Sequence, residues 1–258
     1  MRHEVITLPE TGIELETYLT DNRAVEPGRR KPLALIFPGG AYAFRSDREA
    51  EPVALRLQSL GIQSVVVRYS VAPARYPKAL QEAAEAVAYA RAHAEEWLCD
   101  AHKIAVLGFS AGGHAAAHIG LKWHMMPQGE ACRPDAMILA YPVITSGKYA
   151  HKWSIENLLG EDYDRLKDEM SLERYVRPDT PPTFLWHTRE DESVPPENSL
   201  LLAQELCRNG VAFELHIWQH GGHGMSLSND QVYPPQEKNI RPECQEWIDM
   251  AARWLREI

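Results

Sequence analysis

Residues 104–114 read Ile-Ala-Val-Leu-Gly-Phe-Ser-Ala-Gly-Gly-His, a pattern that predicts a strand, a tight turn and a helix. Ser110 lies between Gly108 and Gly112 at the spacing of a nucleophile elbow, where flanking side chains would collide within the turn. Such a turn holds the serine above the sheet edge. It also directs the amide of Ala111, at the positive end of the helix, toward the same point. The alternative is an ordinary strand-to-helix turn with a buried serine.

Short apolar runs recur on either side of this turn, and most lack the alternation of a strand with one face in water. Between them, apolar residues repeat at spacings of three and four, which is typical of amphipathic helices. The predicted strands cover residues 33–37, 64–67, 104–108, 137–140, 183–186 and 213–218, and the predicted helices cover residues 77–97, 198–209 and 247–255. Strands that alternate with helices predict an α/β fold, with a mostly parallel central sheet and helices on both faces.

Two parts of the chain depart from this alternation. Residues 5–8 and 13–19 alternate around a Pro/Gly turn, which predicts an N-terminal antiparallel hairpin. Residues 144–180 carry no predicted strand, and their leucines and aromatics favour short packed helices, so we interpret them as a small helical lid insertion. The sequence has neither a repeat nor a linker, and a single domain over residues 1–258 is expected.

The formal net charge of −9 argues against nucleic acid or an anionic membrane as a partner. No basic stretch followed by an apolar core opens the chain, and no apolar run is long enough to span a bilayer, so a cytoplasmic protein is expected. The four cysteines lack the C-x-x-C spacing of a zinc or redox site, and without a secretory signal free thiols are expected rather than two disulfides. His114 and His118 have the spacing of a helical metal pair, but no glutamate accompanies them as in H-E-x-x-H.

A serine hydroxyl needs a neighbouring base, and histidine suits this role because its pKa lies near neutrality. Of the eleven histidines, His223 lies in a glycine-rich loop directly after the last predicted strand. His220 is its rival in the same loop. The orienting carboxylate should precede the histidine in the chain, and the strand over residues 183–186 leads to three acids. Asp191 is favoured because it begins an Asp-x-x-Val-Pro turn, and Glu190 is the alternative.

The segment Pro38-Gly39-Gly40-Ala41-Tyr42 follows the strand over residues 33–37. Small residues at this point let backbone N–H groups converge on a developing oxyanion, which lowers the barrier. The segment matches neither of the glycine patterns that hold phosphate groups, G-x-x-x-x-G-K and G-x-G-x-x-G.

Taken together, these pieces resemble the α/β-hydrolase carboxylesterases of the hormone-sensitive-lipase-like branch. The resemblance is closer to the small bacterial acetylesterases grouped with acetyl xylan esterases. It is carried by residues 37–42, 68–70 with 76–77, 108–114, 182–194 and 221–224, in the expected order along nearly the whole chain. One departure is that the family's H-G-G-G is here Pro38-Gly39-Gly40-Ala41.

The resemblance implies that Ser110, Asp191 and His223 form a catalytic triad. It further implies that the backbone amides of Gly40, Ala41 and Ala111 form the oxyanion hole, with no metal or other cofactor. Relatives often have a second aspartate where this chain has Glu190.

The resemblance also implies a serine esterase whose partner is a small-molecule ester. We expect short acyl groups, above all acetyl, because the bulky Tyr42 and Met225 are adjacent to the predicted site and are assigned to substrate binding. Acetylated sugars or xylo-oligosaccharides as substrates follow from the family alone. The alternatives are a small amide or peptide hydrolase, such as a formamidase or a prolyl-oligopeptidase-like enzyme, and a non-catalytic binding protein on the same fold.

Overall fold

The computed structural model describes residues 1–24, 26–235 and 237–258, and eight strands form one sheet through them. The strands are β1 (Arg2–Thr7), β2 (Glu14–Leu19), β3 (Lys31–Phe37), β4 (Gln63–Val67), β5 (Cys99–Phe109), β6 (Ala136–Ala140), β7 (Thr183–Thr188) and β8 (Phe213–Trp218). Their order across the sheet is β1-β2-β4-β3-β5-β6-β7-β8. The pairs β1–β2 and β2–β4 are antiparallel, and every other pair is parallel.

Eight α-helices surround this sheet within the described ranges. They are α1 (Glu51–Ser59), α2 (Lys78–Ala92), α3 (Ser110–Lys122), α4 (Lys152–Leu159), α5 (Tyr163–Leu166), α6 (Glu197–Arg208), α7 (Pro242–Gln245) and α8 (Trp247–Glu257). Successive side chains of a strand point to opposite faces, so neighbouring residues of the central strands enter different cores. Leu35 belongs to the core that includes residues of α2, α3 and α6, whereas Ile36 belongs to the core that includes residues of α1 and α8.

The predicted α/β fold is confirmed, including the N-terminal hairpin and helices on both faces of the sheet. Each predicted strand and helix has its counterpart, although β5 begins at Cys99 rather than at Ile104 and α2 ends at Ala92 rather than at Trp97. Helix α1 was not predicted, because only Val53, Ala54 and Leu57 of its nine residues are buried and so leave a weak helical pattern.

Residues 144–180 contain α4, α5 and three short 3₁₀ turns over Gly160–Asp162, Lys167–Met170 and Leu172–Tyr175, without a strand. Buried apolar residues of this insertion, among them Ile155, Leu158 and Met170, join the core that holds α2 and α3. Packing of this kind fixes the insertion against the domain. In the part of the chain that the structure describes, no helix has both the length and the apolar character needed to cross a membrane.

Candidate active site

Ser110 lies at the junction of β5 and α3, at the carboxyl edge of the sheet. Its φ of 53° is a left-handed conformation that an L-residue adopts only at a cost. A Cβ on Gly112 would lie 2.0 Å from the carbonyl oxygen of Phe37, and one on Gly108 would lie 2.3 Å from the carbonyl oxygen of Gly112. Both glycines are therefore required sterically, because the turn brings α3 against the backbone of the neighbouring strand.

Three side chains that are distant in sequence form one hydrogen-bonded chain at this edge. Ser110 Oγ lies 2.7 Å from His223 Nε2, and His223 Nδ1 lies 2.6 Å from Asp191 Oδ2. Since the carboxylate can only accept, His223 Nδ1 carries a proton and Nε2 is free to accept the hydroxyl proton of Ser110. This is the arrangement that activates a serine for nucleophilic attack.

Asp191 is buried, with 3% of its surface exposed, and hydrogen bonds hold its carboxylate in place. Besides contacting His223, it accepts hydrogen bonds through Oδ1 from the amides of Ser193 and Val194, at 3.0 and 2.9 Å. These two bonds are the physical basis of the Asp-x-x-Val turn in the sequence. Burial acts to raise the pKa of Asp191, but hydrogen bonds from His187 and His223 outweigh it and hold the pKa well below its usual value. The carboxylate is therefore charged at neutral pH.

His187, at the end of β7, is a buried neighbour of Asp191. Its Nε2 donates to the carbonyl oxygen of Val194 at 2.9 Å and lies 3.4 Å from Asp191 Oδ2, while its Nδ1 lies 2.8 Å from Ser199 Oγ. A backbone carbonyl only accepts, so the proton is on Nε2. The same Nε2 faces Asp191 Oδ2, and the ring therefore helps to hold the carboxylate in place.

The rival acid and the rival base contact each other, and no hydrogen bond of the described residues joins either of them to Ser110 or His223. The carboxylate of Glu190 lies 2.9 Å from His220 Nδ1 and accepts a hydrogen bond from the amide of Gly221 at 3.2 Å. Both Glu190 and His220 are exposed. Hydrogen bonds from His220 and the Gly221 amide lower the pKa of Glu190. This second acid–histidine pair anchors the start of the loop that carries His223.

The loop between β3 and α1, the predicted oxyanion loop, carries Gly40 and Ala41, two of the three predicted oxyanion donors. Gly40, Ala41 and Tyr42 have φ values of 125°, 54° and 55°, so three consecutive residues turn the backbone in the left-handed sense. A Cβ on Gly40 would lie 2.2 Å from the carbonyl oxygen of Phe44, which excludes any larger residue there. Among the hydrogen bonds of the described residues, none is donated by the amides of Gly40 or Ala41. Gly40 and Ala41 line the same cavity as Ser110.

Glu49, a buried acid that was not predicted from the sequence, is hydrogen-bonded to this loop. Its carboxylate accepts a hydrogen bond from the amide of Gly39 at 2.8 Å and another from the hydroxyl of Tyr141 at 2.7 Å. The same Tyr141 oxygen accepts from the amide of Ser226, at 2.8 Å, just after the His223 loop. The ring of Tyr141 lies edge-on to that of His223, with centroids 5.3 Å apart. One tyrosine therefore ties the oxyanion loop to the histidine loop.

We expect Tyr141→Phe to lower the free energy of unfolding by about 1–3 kcal/mol, because the change leaves Glu49 and the amide of Ser226 buried without their common partner. Activity should fall several-fold at the same time, because Tyr141 no longer holds the oxyanion loop and the His223 loop in position through its hydrogen bonds. Urea unfolding and kcat on p-nitrophenyl acetate measure the two effects. Unchanged stability together with unchanged kcat would contradict this account of Tyr141.

The cavity over Ser110 has a volume of about 220 Å³. Larger depressions elsewhere on the described surface, around Arg56, Asp21 and Asp47, do not combine a serine with a histidine, so the lining residues rather than the volume identify the site. Its lining residues come from the oxyanion loop, the turn that carries Ser110, the insertion and the loops that carry Asp191 and His223. They are Gly40, Ala41, Phe44, Ser46, Arg48, Glu49, Ser110, His151, Trp153, Ser193, His223 and Gly224.

The assignment of Tyr42 and Met225 to substrate binding needs correction. Both are buried and do not line the cavity. Tyr42 turns inward after the left-handed backbone, and its hydroxyl lies 2.9 Å from His114 Nδ1. Met225 belongs to the core that includes residues of α8, and it lies next to Gly221. The large apolar groups that do line the cavity are Phe44 and Trp153, both about half exposed.

The histidine pair on α3 also lies in the interior. Burial lowers the pKa of His114 to about 4, so the ring is neutral, and its Nε2 donates to the carbonyl oxygen of Met170 at 3.2 Å. The ring of His118 stacks on Tyr76, with centroids 5.5 Å apart. Among the described residues, no group of three or more histidine, cysteine or acidic side chains could hold a metal ion.

The model of the family described as BD-FAE matches residues 24–206, well over half of the chain. The chain belongs to the BD-FAE family. This BD-FAE chain is 38% identical to an acetyl ester-xyloside bifunctional hydrolase from Caldicellulosiruptor lactoaceticus, whose structure superposes with a TM-score of 0.86 over 99% of this chain and 96% of the other. It is 33% identical to MGS-M1, an α/β-hydrolase enzyme from a deep-sea metagenome library, with a TM-score of 0.82 over 100% and 97% of the two chains.

Among curated proteins, an acetylxylan esterase from Xylanibacter ruminicola is 31% identical over 206 residues, which is 77% of this chain and 42% of that protein. The curated relatives that match most of this BD-FAE chain are longer than it. The chain spans 34% to 55% of the length of five of them. The resemblance to α/β-hydrolase carboxylesterases is thus confirmed.

Proposed function

We propose that this chain is a serine carboxylic-ester hydrolase that cleaves short acyl esters, acetyl esters above all, through an acyl-enzyme on Ser110. The observation that carries the proposal is the hydrogen-bonded chain from Ser110 Oγ through His223 to the charged, buried Asp191. The names of the relatives support it, since an acetylxylan esterase and an acetyl ester-xyloside hydrolase match most of the chain.

In the first half of the reaction, Ser110 Oγ attacks the ester carbonyl carbon while His223 Nε2 takes the hydroxyl proton. The carbonyl oxygen gains the negative charge, and the amides of Gly40, Ala41 and Ala111 are the proposed donors to it. The intermediate then collapses, the C–O bond to the alcohol breaks, and His223 returns its proton to the alcohol. In the second half, water loses a proton to His223 and attacks the acyl-enzyme, so that Ser110 leaves with that proton and the acid is released.

The preference for short acyl groups rests on the size of the cavity. About 220 Å³ must hold the acyl group together with part of the alcohol, and this is below the range of about 300–1,000 Å³ usual for sites of drug-sized ligands. Acetylated sugars or xylo-oligosaccharides are the proposed natural substrates, on the names of the relatives.

A series of p-nitrophenyl esters from acetyl to octanoyl tests this proposal. We expect kcat/KM to be highest for acetyl or propionyl and to fall at least about tenfold by octanoyl, because the extra methylenes find no enclosed space. Ser110→Ala supplies the blank for hydrolysis outside the site, and p-nitroacetanilide shows whether an amide is cleaved at a comparable rate. A rate that rises steadily with chain length would refute the acyl preference, and faster cleavage of the anilide would favour an amide hydrolase.

A further inference from the structure

The direction of proton transfer determines which wall of the cavity faces the alcohol. In the proposed reaction His223 returns its proton to the departing alcohol oxygen, so the alcohol must lie beside His223. The amides of Gly40 and Ala41 are the proposed donors to the carbonyl oxygen and not to the alcohol. Of the residues that line the cavity, His151 and Trp153 come from the insertion, and the ring of His151 lies next to that of His223. His151 of the insertion therefore lies on the alcohol side of the cavity.

His151 places an unused polar atom beside the base. Its ring is nearly parallel to that of His223, with an interplanar angle of 22° and centroids 6.4 Å apart. Its Nδ1 lies 2.7 Å from Ser154 Oγ, whereas no hydrogen bond among the described residues involves its Nε2. Burial, with a further contribution from His223, lowers the pKa of His151, so the ring is neutral at pH 7. A neutral imidazole nitrogen either donates or accepts, depending on the tautomer, and a hydroxyl group satisfies both cases.

Trp153 provides an apolar surface next to this polar atom. It lies in the first turn of α4 with 52% of its surface exposed, although large apolar side chains are normally buried. Its ring is edge-on to that of His151, with centroids 6.3 Å apart. An exposed aromatic face beside a catalytic group is a typical ligand-contacting feature.

We propose that Trp153 and His151 form an alcohol-side subsite for the pyranose ring that carries the acetyl ester. This inference rests on the proposed ester hydrolysis. A pyranose has apolar C–H faces and a rim of hydroxyls, so its face packs on Trp153 while a neighbouring hydroxyl pairs with His151 Nε2. A simple aliphatic alcohol leaves His151 Nε2 without a partner once water is displaced, which is unfavourable.

Three acetates separate the two contacts. Methyl 2-O-acetyl-β-D-xylopyranoside has both a ring and free hydroxyls, cyclohexyl acetate has only the ring, and ethyl acetate has neither. We expect Trp153→Ala to lower kcat/KM by about tenfold on the two ring substrates and less than twofold on ethyl acetate, with Trp153→Phe retaining most of the activity. His151→Leu should lower kcat/KM by about tenfold on the xyloside alone, and His151→Gln should restore part of it.

Leu200→Ala is the matched control, because Leu200 is an exposed apolar residue of α6 outside the cavity. It should leave all three values unchanged. An equal loss on all three acetates in Trp153→Ala, or no loss on the xyloside in either variant, would overturn the subsite.

A binding measurement keeps this inference separate from the proposed function. In the Ser110→Ala background, saturation-transfer NMR should detect the xyloside, and the added Trp153→Ala change should abolish the signal. Absence of hydrolysis by the folded wild-type protein on all three acetates would refute the proposed function while leaving a positive binding result in favour of the subsite. Equal signals with and without Trp153 would overturn the subsite whatever the catalytic result.

Discussion

Ser110→Ala should lower kcat on p-nitrophenyl acetate by at least about 10⁴-fold, and this is the largest effect expected for the protein. The substitution removes the atom proposed to form the acyl-enzyme, whereas the cavity, His223 and the oxyanion loop remain. Any residual rate then measures what binding and backbone donors contribute without a nucleophile. The left-handed backbone of Ser110 also favours a stable variant, since alanine has no larger steric demand at a φ of 53°.

A covalent probe provides the control for this result. A fluorophosphonate should label the wild-type protein once, and peptide mass spectrometry should place the adduct on Ser110. Ser46→Ala removes a second serine hydroxyl of the cavity wall, one for which the described residues show no histidine contact, and should leave labelling intact. Labelling that persists in Ser110→Ala would contradict the assignment of the nucleophile.

The elbow and its two partners could be predicted because each depends on local sequence. At Gly108 and Gly112 a backbone carbonyl oxygen lies so close that a Cβ would clash with it. The G-x-S-x-G spacing therefore indicates this close backbone packing directly from the sequence. Asp191 could be favoured over Glu190 because its carboxylate closes a turn on the amides of Ser193 and Val194, which an acid one position earlier does not do.

The cavity walls were predicted less well, because nearness in sequence does not fix the direction of a side chain. Tyr42 follows two residues with positive φ, and Met225 follows Gly224, whose φ is 76°, so both side chains turn into the core. His151 and Trp153 reach the cavity from an insertion whose docking depends on packing over many residues. Periodicity contains no information about such a long-range placement.

Buried polar groups that support the site were also not predicted from the sequence. Glu49 follows a loop and lies just before α1, a position at which an acid is usually solvated. Its burial is tolerated because the amide of Gly39 and the hydroxyl of Tyr141 satisfy both oxygens. These partners follow different strands, β3 and β6, and nothing in the local sequence indicates that they meet.

Asp191→Asn should lower kcat by about 10³–10⁴-fold at neutral pH, the second-largest effect expected. The asparagine can keep the two backbone bonds to Ser193 and Val194 through its oxygen, so its amide nitrogen then faces His223 Nδ1. That nitrogen donates, which forces the proton of the imidazole onto Nε2. His223 then donates toward Ser110 Oγ instead of accepting its proton, and the base is lost.

The matched control is Glu190→Gln, which changes the adjacent acid in the same way. Glu190 is exposed and contacts His220 rather than His223, so we expect kcat to stay within about threefold of the wild-type value. A large loss in Glu190→Gln with little loss in Asp191→Asn would reverse the assignment of the acid.

The pH dependence of stability gives an independent test of Asp191. The folded-state pKa lies below the unfolded value of about 3.9, so the charged carboxylate stabilises the fold above about pH 4 and this contribution is lost as the pH falls. The asparagine variant has no such contribution at any pH. The difference in Tm between the wild type and Asp191→Asn should therefore be largest near neutrality and shrink as the pH falls below about 4, because the unfolded chain then binds a proton that the folded carboxylate still does not bind. A difference in Tm that stays constant from pH 7 to pH 3 would show that the charge of the Asp191 carboxylate does not stabilise the folded protein.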